Sequence, residues 1–328
     1  MLTNVRRAAA CLIACVISTA SFGAVKNNFL APEARAIEGG RDVQIFVVQA
    51  EIQPNINISN ITAATGGGLL FALIDAGVNN ARAKDAEKAV VPLREAMVGF
   101  DFDPMAQEVS SAPLKGLGWF DMKQVKLSKD ASDAAVSAAL DGATAPQLMV
   151  LRYEYETNAD FSAIVVSLDA TLINKAVPAG KKPAARTQAK FAPYRQPIRS
   201  MIFLPGANAK DPAANVKAWS ADGAKLARSA VEVGLQRCQQ LLQRSLALSA
   251  ADAASMTKRN KRKPSTIPNV IGWELESQPG TTLVYDSMTA GLVQSETYTA
   301  PAAAAAAPVV EAQPAAATVP ASAPAPVH

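Results

Sequence analysis

The chain has 328 residues, is 49% hydrophobic and 5% aromatic, and carries a net charge of +4. Its single histidine is His328, the last residue, in a stretch of alanine and proline. That excludes Ser-His-Asp and Cys-His catalysis and the common His/Cys zinc sites, and the low aromatic content argues against a surface for stacking sugars or bases.

The first 23 residues read as a secretory signal peptide. Arg6 and Arg7 precede an apolar run over 8–20, and small residues at Ser18, Ala20, Ser21 and Gly23 offer cleavage positions. The run is shorter than the roughly 20 residues of a membrane span, and the apolar stretch Leu69–Val78 is interrupted by Asp75, so no span is expected in the mature chain. Leu12-Ile13-Ala14-Cys15 resembles a bacterial lipobox, which makes Cys15 a possible lipidation site and a lipid-anchored lipoprotein the alternative. Ordinary cleavage is preferred, because Val16 and Ile17 continue the apolar run beyond Cys15. Cys11 and Cys15 both lie in the signal, so Cys238 remains alone and no internal disulfide is expected.

Residues 24–40 read as an irregular mature N-terminus. Val43–Val48 is a β-rich core strand, and Ile56–Ile61 alternates apolar and polar residues as a second. Gly66-Gly67-Gly68 opens a helix with Leu69, Leu70, Leu73, Ile74, Gly77 and Ala81 on one face, and Pro92 is expected to kink or restart it. No Lys-Ser/Thr follows the glycines and the G-x-G-x-x-G spacing is absent, so they read as packing rather than phosphate binding.

Asp103-Pro104 signals a helix start, with its end near Gly116–Gly118. A strand falls within Trp119–Leu127, and a short Ala-rich helix runs from Ser128 or Asp130 to Asp141-Gly142. Leu148–Thr157 and Phe161–Asn174 form a long hairpin around Asn158-Ala159-Asp160, followed by a strand at Arg199–Leu204. The longest helix is expected at Asp222–Leu248, with Leu226, Ala230, Val233, Gly234, Cys238, Leu241 and Leu242 as its apolar stripe. Gln239 falls outside that stripe, and Cys238 within it reads as a small core residue. Thr281–Asp286 and Leu292–Thr297 read as a closing hairpin. Trp119 and Trp273 are expected to anchor the core, while the pattern leaves Trp219 open.

The order of elements implies one α+β domain over 41–298, with a mostly antiparallel sheet packed by helices. Residues 299–328 form an Ala/Pro-rich tail expected to be disordered; fourteen alanines and six prolines fall within 300–328.

Positive charge is concentrated in two acid-free segments. Residues 174–199 hold Lys175, Lys181, Lys182, Arg186, Lys190, Arg195 and Arg199, and residues 256–263 hold Lys258, Arg259, Lys261, Arg262 and Lys263. Both read as loops. Their charge points to an anionic lipid or polysaccharide surface, or to an acidic envelope protein, and export makes nucleic acid an unsuitable partner. Lys181, Lys182, Arg186, Lys190, Lys258, Arg259, Lys261, Arg262 and Lys263 are the candidate contacts.

Carboxylates supply the rival reading. Asp101 and Asp103 flank Phe102, and Glu154 and Glu156 share one strand face opposite Tyr153 and Tyr155. With Asp160 they provide acids for a hydrolase acting on envelope polysaccharide or peptidoglycan. No motif calls for a cofactor or metal. The expectation is therefore a non-catalytic cell-envelope protein, periplasmic or secreted, with an accessory or scaffold role.

Overall fold

The computed structural model describes residues 29–55, 69–259 and 261–299, with the backbone alone over 69–80 and at 189. The signal peptide, Cys15, the strand expected at Ile56–Ile61, Gly66–Gly68 and the tail from residue 300 lie outside the described residues.

A one-turn helix, α1 (Pro32–Arg35), leads into β1 (Arg41–Val47). Then come β2 (Gln53–Pro54), α2 (Leu69–Ala96), α3 (Phe102–Lys115), β3 (Met122–Ser128), α4 (Asp133–Asp141), β4 (Gln147–Thr157) and β5 (Ala163–Asn174). The chain continues through β6 (Tyr194–Phe203), α5 (Pro212–Ala247), α6 (Ala250–Met256), β7 (Gly272–Gln278), β8 (Thr281–Asp286) and β9 (Gly291–Thr297). The strand order is β3-β1-β4-β5-β6-β9-β8-β7, with β2 beside β4.

The fold is α+β, and its sheet is mixed. Antiparallel pairing joins β4 to β5, β5 to β6, β7 to β8 and β8 to β9. Parallel pairing joins β1 to β3 and β4, β2 to β4, and β6 to β9. These pairings fix strand direction: β1, β3, β4, β6, β7 and β9 all begin at one end, where β5 and β8 finish. We call this the basal end.

One sheet face carries the main core, in which Ile45, Leu151, Tyr153, Val166 and Ile202 meet Leu93, Leu114, Val231, Leu235 and Leu242 of α2, α3 and α5. The other face has two smaller clusters. In one, Phe46, Leu148, Val150 and Ile173 meet Val136 and Leu140 of α4; in the other, Ile267 and Val270 cover Val165, Met201, Val284 and Val293.

Several sequence expectations change. The segment 24–40 is not wholly irregular: Leu30 is fully buried and α1 packs beside it. Pro92 lies inside α2 without ending it. The α3 cap is Asp101, whose carboxylate accepts from Asp103 N–H at 3.2 Å, because Phe102 is already helical and stacks on Tyr155 at 4.6 Å. Asp103 instead pairs with Lys129 at 2.6 Å.

The long helix starts ten residues early, capped by Asp211, and has a break at 221–224, where Asp222, Gly223 and Ala224 take positive φ. That break lets the first segment insert Trp219, which is 0% exposed and donates its indole N–H to Phe161 O at 2.8 Å. Gln239 is buried rather than solvated, because Ser110 and the Tyr153 hydroxyl meet its side chain across the core. β6 begins at Tyr194, so Arg195 and Arg199 are strand residues rather than loop residues. β7, a half-exposed edge strand, lies where only a linker is expected.

Candidate functional site

The basal end collects the basic sequence. The β5–β6 connection (175–193) emerges there, as do the segment ahead of β7 (257–271), the β8–β9 turn (287–290) and the approach to β1. α5 also finishes at this end, where Arg35 donates to Leu248 O at 2.8 Å.

Within the β5–β6 connection the cations divide into two kinds. Arg186 is a structural tie: it pairs with Asp141 of α4 at 2.7 Å and donates to Pro183 O at 3.1 Å. Lys175 donates to Ala143 O, which closes the connection onto the end of α4. Arg195 and Arg199 are engaged by Asp169 and Asp286 on the sheet. Lys181 and Lys190 flank the Phe191 ring, at 5.9 and 5.1 Å from its centroid, and Lys182 is exposed beside them.

The second segment follows α6. Lys258, Arg259, Lys261 and Lys263 are exposed, and Arg262 is half-buried with Nη2 at 3.5 Å from Ser255 Oγ. Its course is set by main-chain pairing: Glu274 N–H donates to Lys263 O at 2.9 Å, and Pro264 bridges to Trp273. Among the described residues no carboxylate forms an ion pair with any of these five, nor with Lys181, Lys182 or Lys190. Two patches of cations are thus presented at one end without acidic partners.

Apolar side chains are exposed there too. Ile271 is 65% exposed just before β7, Met288 is 64% exposed in the β8–β9 turn, and Val177 is 41% exposed in the β5–β6 connection. A cavity of about 540 Å³ also lies at this end, lined by Phe29, Leu248, Ala253, Met256, Trp273 and Tyr285, among others. The Trp273 and Tyr285 rings lie 5.1 Å apart, and Trp273 donates its indole N–H to Met256 O at 2.9 Å, fixing one wall to the end of α6. Sequence reasoning found the cations but not this cavity. Its walls come from residue 29, the α5–α6 region and the β7–β9 sheet edge, and no local pattern joins those segments.

The candidate carboxylates are not brought into one cleft. Tyr153 and Tyr155 enter the main core, so Glu154 and Glu156 face the opposite side of the sheet, as the alternation predicts. Asp101 sits with Phe102 on the helical side. Asp160 is occupied in the β4–β5 turn, accepting from Ser162 N–H at 3.0 Å and Oγ–H at 2.6 Å. Glu156 accepts from Asn55 Nδ2 at 2.7 Å, and burial pushes its carboxyl above the usual range. Among the described residues no cluster of three or more metal-ligating side chains occurs, and no helix is long and apolar enough to cross a membrane.

Comparison with known proteins adds little. No family model matches the chain, and no curated protein does. A solved structure, the dodecamer of a PelC point mutant from Paraburkholderia phytofirmans, aligns at 14% identity over 56% of this chain and 89% of that one, with a TM-score of 0.20. Nothing is carried over from so low a score.

Proposed function

We propose that this chain is an exported, non-catalytic cell-envelope protein that docks through its basal end on an anionic lipid surface, in an accessory or scaffold role. The observation that carries the reading is topological. Strand direction gathers both cationic patches, three exposed apolar side chains and the approach of the N-terminal segment at one end of the sheet. Cations facing anionic headgroups contribute about 1 kcal/mol each, and apolar side chains between them add burial in the interface.

Sedimentation with vesicles tests this. Vesicles containing phosphatidylglycerol should carry the protein down at low salt and release it at about 0.5 M salt, where screening shortens to a few ångströms. Replacing Lys258, Arg259, Lys261, Arg262 and Lys263 by Gln should weaken association at least tenfold, and phosphatidylcholine vesicles should bind poorly. Equal binding to both vesicle types, or none to either, would overturn the proposal.

A further inference from the structure

We infer that the basal cavity takes one acyl chain of an anionic phospholipid while the Lys258–Lys263 segment holds its phosphate. The inference rests on the lipid-surface reading above and gives it a specific ligand site.

Three observations converge on it. First, the cavity is built from apolar side chains: Phe29, Leu248, Ala253 and Met256 face Trp273 and Tyr285. At about 540 Å³ it falls within the roughly 300–1000 Å³ range of small-ligand sites. Second, the cationic run begins at its edge. Met256 and Thr257 line the cavity, and Lys258 and Arg259 are the next residues along the chain. An apolar cavity bordered by cations matches an amphiphile with one apolar end and one anionic end. Third, two exposed apolar residues, Ile271 and Met288, are near neighbours in the chain of lining residues. Ser287 and Ala290 line the cavity on either side of exposed Met288 in the sequence, and Ile271 is tied to Ser287. A chain drawn from a bilayer would pass from lipid to protein across those side chains.

The occupant is a lipid rather than a peptide because of how polarity is distributed. A peptide must satisfy its own N–H and C=O groups, and an acyl chain has none. The named lining is mainly side-chain carbon, and no charged side chain is among it, while the chain leaves it at Thr257 directly into Lys258 and Arg259. Ala254, exposed on α6, also lines the cavity and marks where added bulk would close it.

The full-length protein can be titrated with dihexanoyl phosphatidylglycerol below its micelle concentration, following tryptophan emission. The parent should show saturable binding with a change in emission. Trp273→Phe removes the indole that walls the cavity and its bond to Met256 O, and should lose most of the emission change and weaken the binding read by calorimetry. Ala254→Phe should lower the affinity at least tenfold with melting unchanged, and dihexanoyl phosphatidylcholine should bind at least tenfold more weakly than the glycerol lipid. Equal affinity for the two lipids, or an Ala254→Phe variant that binds as the parent does, would overturn the inference. If soluble lipid does not bind but anionic vesicles still sediment the protein, the cavity assignment fails and the surface reading stands. If neither binds, the surface reading fails with it.

Discussion

Ser287 donates both its backbone N–H and its hydroxyl to the carbonyl oxygen of Ile271, each at 2.8 Å. These two hydrogen bonds to one acceptor tie the residue before β7 to the β8–β9 turn and hold Ile271 near Met288. Two exposed apolar side chains are thereby kept at one place on the basal end. Replacing both Ile271 and Met288 by Gln should lower association with anionic vesicles about tenfold, since each buried methylene contributes about 0.8 kcal/mol in a lipid interface. Unfolding in urea should change by less than about 0.5 kcal/mol, because both side chains already face solvent.

Arg41 should matter for stability rather than for docking. Its guanidinium is buried at the start of β1 and donates to Gln147 Oε1 at 2.8 Å, Trp119 O at 2.6 Å and Arg35 O at 2.7 Å. Desolvation by burial lowers its pKa below the usual arginine value, with Asp121 opposing. Arg41→Met leaves several buried acceptors without donors and should cost about 3 kcal/mol in urea unfolding. Limited proteolysis should then cut first in the segment around α1, which loses its ties to the sheet.

Gly234 marks a close approach of α5 to the sheet. A Cβ there would stand 2.7 Å from Val166 Cγ2. Gly234→Ala should therefore destabilise by about 1–3 kcal/mol despite the better helix propensity of alanine. Combining it with Val166→Ala should give a smaller loss than the two single losses added together, measured as a double-mutant cycle.

Glu156 gives a pH signature. Burial raises its pKa above the ordinary 4.5, with the Asn55 hydrogen bond opposing that shift and Glu154 adding to it. A carboxyl raised in the folded protein ionises more easily when unfolded. Its destabilising effect is absent below the unfolded pKa and grows as pH rises through the folded one. Glu156→Gln should raise the melting temperature at pH 7, and the gain should vanish below about pH 4. Asp42 should act with the opposite sign. Burial pushes its pKa up, but bonds from Gln124, Ala145 and Thr144 outweigh that and leave it lowered, so the stability it contributes is lost as pH falls.

Cys238 should be inert while the protein is folded. Its thiol is fully buried, donates to Val166 O at 3.3 Å, and is pushed up in pKa by burial. A maleimide should label it only at the rate of unfolding, and labelling at an exposed-thiol rate would contradict its place in the core.

Local patterns were enough for much of the fold. The β4–β5 and β8–β9 hairpins follow from alternating runs separated by turn residues, and α4 from a short Ala-rich run stopped at Gly142, although its cap is Ser132. β7 was not legible. It is a half-exposed edge with Glu274, Glu276 and Gln278, so its composition resembles a loop. The break at 221–224 was also hidden, because Asp222 and Ala224 take positive φ without a second glycine to signal it.

The sequence alone determined where charge and apolar residues lie along the chain, because composition and spacing are local properties. It located the acid-free basic runs, the absence of an internal histidine and the alternation that sends Tyr153 inward and Glu154 outward. Only the tertiary structure decided which of those charges are committed. Arg186, Arg195 and Arg199 found acids 26 to 87 residues away, whereas the Lys258–Lys263 run met none among the described residues. It also decided that Phe29, Leu248, Met256, Trp273, Tyr285 and Ala290 line one cavity. Strand pairing between distant segments sets those neighbours, and no periodicity within a segment carries that information.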